Sequence, residues 1–219
     1  MPAVTGLYAG VLRPLPPEGQ RTGIFKQPLQ SAEVVGAGLV GDHQADRRHH
    51  GGPEKALHQF AVASYDQIVS AYPELRGVAI PGSMGENLSA TEMTDAVVCI
   101  GDCYRIGTTI VQVSQPRSPC WKIDHRFGVE QLSVYVEKQR ITGWYYRVME
   151  AGAIRVGDSI ELLDRPNEYV PVAYFLRVTT ESRPDPVTLD RLIACRGLAD
   201  EWTTRLKNRR DYLRTALQT

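Results

Sequence analysis

Cys120 lies in the run Ser114-Gln115-Pro116-Arg117-Ser118-Pro119-Cys120-Trp121-Lys122. A strand-like stretch, Thr108 to Val113, leads into it. Pro116 and Pro119 lack N–H donors and hold the backbone extended, so a ladder should end there and leave the thiol on a stiff turn. Arg117 and Lys122 flank it. Cationic neighbours favour the thiolate, the form that attacks or binds metal. The plain alternative is a structural cysteine, since free Cys is among the most buried residue types.

A second segment runs from Gly41 through Asp42, His43, Asp46, Arg47, Arg48, His49, His50, Gly51, Gly52 and Pro53 to Lys55, and four of the chain's five histidines fall between positions 43 and 58. Adjacent glycines let a backbone approach a ligand closely, and the helix expected to open at Pro53 would favour an anion at its N-terminus. Arg47, Arg48 and Lys55 add positive charge. The segment reads as a pocket for a phosphate-bearing ligand, with His49 or His50 supplying hydrogen bonds. Neighbouring histidines diverge in regular structure, which argues against zinc. A loop in which Asp42, Asp46 and Glu54 neutralise the cations is the competing reading.

Two weaker features accompany these. In Gly82-Ser83-Met84-Gly85-Glu86-Asn87-Leu88, Gly85 permits a turn and Asn87 could offer a ligand both donor and acceptor. In Thr142-Gly143-Trp144-Tyr145-Tyr146-Arg147, three aromatics could wall a flat ring or plug the end of a barrel. A Cys–His hydrolase built from Cys120 with His49, His50 or His125 stays open. No phosphate-binding P-loop or dinucleotide glycine pattern is present.

The elements that must position these residues are mainly short strands. Val4 to Leu12, Thr22 to Phe25, Ala32 to Val35, Asn87-Leu88, Val97 to Ile100, Tyr104 to Ile106 and Ser159 to Leu163 read as strands between glycine and proline breaks. Glu54 to Ala71 and Val129 to Gln139 read as helices. Such a pattern predicts a closed or nearly closed β-barrel over residues 1–166. Beyond Arg165-Pro166, Val170 to Arg177, Leu189 to Cys195 and Gly197 to Leu206 read as a small three-helix domain, residues 167–219, with Asp185 or Thr188 starting its second helix. The basic run Arg205, Lys207, Arg209, Arg210 reads as a solvated helix face, with phosphate contact as the alternative.

The 219 residues carry 25 Lys and Arg against 25 Asp and Glu, so the formal net charge is zero and a dedicated nucleic-acid binder is disfavoured. No apolar run approaches the roughly 20 residues of a membrane helix, and the N-terminus has no signal-peptide pattern. A cytoplasmic protein with reduced thiols is the expectation, since a chain of this size does not depend on disulfides among its four cysteines.

Taken together, Gly38 to Lys55, Gly85-Glu86-Asn87-Leu88, Gly101-Asp102, Ser114 to Lys122 and Thr142 to Arg147 resemble the MOSC domain, the C-terminal module of molybdenum cofactor sulfurases. The likeness is to the YiiM-like branch with a C-terminal three-helix extension, and it covers nearly the whole chain. It implies a mainly β, MOSC-type barrel with a few helices. It also implies a molybdenum cofactor (molybdopterin) whose metal bonds Cys120, and thiolate is a fitting soft ligand. The candidates for the cofactor phosphate are then Arg47, Lys55 and the Gly51-Gly52 backbone, with Arg117 and Ser118 of the cysteine run beside them. Asn87, Trp144 and Tyr145 are the candidates for the pterin. The resemblance further implies reduction of N-hydroxylated compounds such as 6-hydroxylaminopurine, with His49 or His50 as proton donor. Electrons would come from a separate reductase, flavin-dependent among the options. A homodimer stays open, and neither a nucleic-acid polymer nor a membrane is an expected partner. Two rival roles remain: a sulfur carrier holding a Cys120 persulfide, and a non-catalytic cofactor-binding module.

Overall fold

The computed structural model describes residues 1–17, 19–45 and 51–216. In chain order the elements are β1 (Val4–Ala9), β2 (Arg13–Leu15), β3 (Gln20–Thr22), β4 (Gln27–Leu29), β5 (Ser31–Val35), β6 (Gly38–Leu39), β7 (Leu57–Gln59), α1 (Val62–Ala71), β8 (Leu88–Ala90), β9 (Cys103–Ile106), β10 (Thr109–Pro116), α2 (Lys122–Phe127), α3 (Leu132–Gln139), β11 (Trp144–Glu150), β12 (Gly152–Arg155), β13 (Ile160–Asp164), α4 (Val172–Thr180), α5 (Pro186–Ile193) and α6 (Asp200–Ala216).

Eight strands form one sheet in the order β13-β9-β10-β11-β7-β8-β1-β4, beside a three-stranded sheet β12-β5-β6 and the hairpin β2-β3. The β7–β8 pair is parallel and its neighbours are antiparallel, so the main sheet is mixed. Of the expected closed or nearly closed barrel, the closed form is corrected. From Leu7 onward β4 occupies the outer edge of β1, so only the start of β1 can meet β13. That meeting is one isolated bridge, Ala3 to Ser159, where Val4 N–H donates to Asp158 O at 2.9 Å, Gly157 N–H to Val4 O at 2.8 Å and Ile160 N–H to Pro2 O at 2.9 Å. The sheet therefore stays open.

The expected helix from Glu54 to Ala71 is corrected as well. Pro53–Lys55 makes one 3-10 turn, Leu57–Gln59 is strand β7, and the helix begins at Val62. All three β7 residues are buried, because the strand is wedged between β11 and β8. A strand buried on both faces has no alternation to separate it from a helix segment. Val97 to Ile100 is likewise not a strand: the N–H groups of Val97 and Val98 both turn back to Thr94 O, and Cys99 makes one bridge to Pro171. Helix α2, directly after Cys120, has no counterpart in the pattern reading.

Two apolar clusters hold the elements. One gathers Leu7, Leu57, Val111, Val113, Trp144 and Tyr146 from the main sheet with Phe175, Leu189, Leu192 and Leu206 from α4, α5 and α6. The other packs Phe60, Tyr65 and Ile68 against Ile123, Leu132 and Val136. Asp185 caps α5, accepting from Thr188 N–H at 3.0 Å. The basic run of α6 is largely spent on fastening helices: Arg209 donates to Thr179 O and Glu181 O, Arg210 pairs with Asp190 at 2.8 Å, and Arg205 lies over the Trp202 ring. Among the described residues no helix is long and apolar enough to cross a membrane.

One buried acid should leave a pH signature. The Asp95 carboxyl accepts from Gly143 N–H at 2.9 Å, and burial pushes its pKa up to about 7. The folded state therefore holds a proton there that the unfolded chain has lost above about pH 4, and stability should fall as pH rises from 4 to 7. Relative to Asp95→Asn, the native chain should lose about 2 kcal/mol between pH 5 and pH 8 in urea unfolding. Parallel stability-versus-pH curves for the two proteins would remove the assignment.

Candidate functional site

Strand β10 alternates buried and half-buried side chains until Val113, then turns buried on both faces through Pro116. A register shift opposite β11 falls between Val113 and Gln115, and bulges of this kind re-aim side chains at strand ends. The ladder stops at Pro116, as the prolines predict. Residues 117–120 have no regular structure, and α2 begins at Lys122. Arg117 N–H donates to Gly143 O at 3.0 Å and Cys120 O accepts from Ile123 N–H at 3.0 Å, so both ends of the segment are tied down.

Other segments converge on it. Strand β11 places Tyr145 opposite His58 of β7, with ring centroids 5.3 Å apart. The Pro53–Lys55 turn is anchored through Glu54: Arg147 Nε lies 3.1 Å from each carboxylate oxygen, and Ser114 Oγ lies 2.5 Å from Glu54 O. The 82–87 loop is organised by the Glu86 carboxylate, which takes the Tyr65 hydroxyl and Gly82 N–H, each at 2.6 Å. Residues 22–26 and 42–45 complete the enclosure.

These segments surround a half-open cavity that spans about 630 Å³ when the solvent in its mouth is counted. Lys26, Asp42, Lys55, His58, Asn87, Arg117, Cys120, Lys122 and Tyr145 line it. Of the residues singled out in the sequence, the cavity thus brings together Cys120, Lys55, Asn87, Arg117 and Tyr145. Arg47, His49 and His50 lie outside the described residues. Ser118 is exposed and off the lining; Gly51, buried, and Gly52, half-buried, are off the lining too and lead into a turn too short to act as a helix N-terminus. Trp144 is corrected: side chains alternate along β11, so while Tyr145 reaches the cavity, Trp144 is fully buried in the core. His58 and Lys26 were missed. His58 reaches the site only because β7 is a strand in register with Tyr145, and Lys26 carried no motif.

The electrostatics are distinctive. Arg117 is 7% exposed, its Nη2 donates to Met84 O at 3.3 Å, and Nη1 has no partner. No carboxylate of the described residues lies within 4.0 Å of it. A desolvated cation without a counter-charge is costly unless a ligand supplies one. His58 Nε2 is also buried and without a partner. Burial, followed by the charge of Arg117, holds the imidazole pKa well below its ordinary value, so His58 is neutral. Burial also raises the Tyr145 hydroxyl pKa and keeps it a donor. Lys26 is paired with Asp42, yet burial lowers its pKa overall. Asn87 is committed to the protein: Oδ1 accepts from His58 N–H at 3.0 Å and Nδ2 donates to Asp42 Oδ2 at 2.9 Å. It sets the positions of His58 and Asp42.

Gly143 explains the glycine before the aromatics. Its φ is +72°, and a Cβ there would meet Gln59 O at 2.2 Å and His58 Nε2 at 3.1 Å. Gly143→Ala should lower stability by about 2 kcal/mol or more in thermal or urea unfolding and loosen Arg117. A variant as stable as the native chain would refute this reading.

Residues 46–161 match the family model described as MOSC domain, which is more than half of the chain. The chain belongs to the MOSC domain family. Among relatives, it is 33% identical to Uncharacterized protein YflK of Bacillus subtilis strain 168, covering 96% of each chain. It is 31% identical to Protein YiiM of Escherichia coli strain K12, over 93% of this chain and 91% of that one. The solved structure of YiiM from Escherichia coli superposes with a TM-score of 0.80 at 26% identity, covering 96% of this chain and 93% of that chain. A protein named Reductase from Gibberella moniliformis is 36% identical over 80% of this chain, which spans 31% of that longer protein. The MOSC match takes in β7 through β12 and the start of β13, and with them Lys55, His58, Arg117, Cys120 and Tyr145.

Proposed function

We propose that this chain is a molybdenum-cofactor-dependent reductase of N-hydroxylated compounds, 6-hydroxylaminopurine and related bases among them. The observation that carries the reading is Arg117: a buried guanidinium with an unpaired Nη1, in the same cavity as the half-buried Cys120 thiol. A phosphorylated, sulfur-liganded group suits that donor set. Cys120 would ligate the metal. Arg117, Lys55 and Lys122 would face the phosphate, as would Arg47. Tyr145 would lie against the pterin, with the orphaned His58 Nε2 offering it a further polar contact. Membership in the MOSC family and the likeness to a protein named Reductase support the assignment.

When bound, the cofactor supplies the two electrons for N–OH + 2e⁻ + 2H⁺ → N–H + H₂O. The chain's own groups do the rest. Neutral His58 and un-ionised Tyr145 keep the cavity's fixed charge cationic. His49 or His50 is the proposed proton donor at the leaving oxygen. Electrons would arrive from a separate, flavin-dependent reductase in the cytoplasm. The segments 1–166 and 167–219 would act as a cofactor-binding domain and a helical domain.

The test is chemical analysis of protein from a host that makes the cofactor. Near-stoichiometric molybdenum with phosphorylated pterin, and turnover of an N-hydroxylated purine with reduced dye, is the expected result. Protein without molybdenum but with a persulfide on Cys120 would replace the reading with a sulfur carrier.

A further inference from the structure

We propose that Glu201, in the first turn of α6, sets how much negative charge the cavity's ligand must carry, because it competes with that ligand for Lys55. This rests on the anion-site reading of Arg117 and deepens it.

The start of α6 is fastened to the strand that carries the site. Ala199 N–H donates to Ser114 O at 3.0 Å, and Gly197 is packed so closely on β10 that a Cβ would come within 2.9 Å of the Gln112 side chain. From this platform Glu201 Oε2 reaches Lys55 Nζ at 3.2 Å. Lys55 belongs to the cavity lining, so a helix 146 residues further along the chain holds one of the pocket's cations.

The cavity's two described lysine–carboxylate pairs differ in how firmly they are held. Lys26 and Asp42 are both buried, with side chains 6% and 4% exposed, and Asp42 is also bound by Gly10 N–H and Asn87. That pair is a fixed part of the wall. In the other pair the Lys55 side chain is 9% exposed and the Glu201 side chain 72%. Glu201 can turn into water at little cost, whereas Lys55 stays at the cavity. A ligand with concentrated negative charge, such as a dianionic phosphate monoester, would draw Lys55 from Glu201. A weakly charged ligand would leave the pair closed and meet a less cationic pocket. The same exchange makes the first turn of α6 a reporter of occupancy.

The experiment is a titration of the full chain, made without cofactor, with inorganic phosphate, followed by amide NMR shifts. In the native protein the amides of Gly85, Gly143 and residues 199–203 should move together. Glu201→Gln should bind phosphate about threefold more tightly, with the response at 199–203 lost. Phosphate that moves Gly85 and Gly143 but leaves 199–203 still, with equal affinity in both proteins, overturns the role of Glu201 and spares the anion site. Phosphate that moves neither Gly85 nor Gly143 overturns both.

Discussion

Cys120→Ala should lower turnover of an N-hydroxylated purine by about a thousandfold or more while leaving the fold intact. The two halves have separate causes. The thiol lies half-buried at the cavity, outside both apolar clusters, and its segment is tied by backbone bonds of Arg117 and Cys120 that alanine keeps. Removing one sulfur from such a place should cost no more than about 1 kcal/mol of stability. On the proposed reading, however, that sulfur is the protein's bond to the metal, and no described neighbour supplies another thiolate: the remaining described cysteines, Cys99, Cys103 and Cys195, line no part of this cavity. Molybdenum content, activity with reduced dye and a thermal melt on the same preparation make the test. Near-native turnover in Cys120→Ala would end the metal-ligand assignment.

Arg117→Met should act in opposite directions on binding and on stability. The guanidinium is buried with an unpaired Nη1 and no nearby carboxylate, so in the cofactor-free protein only the Nη2 bond to Met84 O offsets its desolvation. Methionine keeps an unbranched stem and removes the charge. The cofactor-free variant should be more stable than the native chain by about 1 kcal/mol or more. Retention of phosphorylated pterin through desalting should fall by about a hundredfold, since a charge-assisted contact to a buried guanidinium is lost. A variant that keeps full occupancy would sink the phosphate assignment, and one that is clearly destabilised would show that Arg117 is structural.

The sequence was most legible where local chemistry decides the outcome. Prolines end β10 where their missing N–H groups require it, and Asp185 caps α5 because a carboxylate there reaches two orphan amides. It misled where packing decides. Ala56 to Ala61 carries apolar residues at spacings that suit a helix, but the slot between β11 and β8 makes Leu57–Gln59 a strand. Trp144 and Tyr145 looked alike as ring-holders, yet the pleat sends one to the core and the other to the cavity. The barrel stayed open because β4 took the edge that β13 would have needed.

What the sequence by itself determined is the family and the cysteine run, since both rest on residue types in contiguous motifs. Which cations are available to a ligand was decided by tertiary structure alone. Lys26 is paired with Asp42 and Lys55 with Glu201, Arg209, Arg210 and Arg214 are spent within the helices, and Arg117 keeps an unpaired Nη1. A charge's worth depends on its partner and its burial, and those are set by segments that meet across as many as 146 residues.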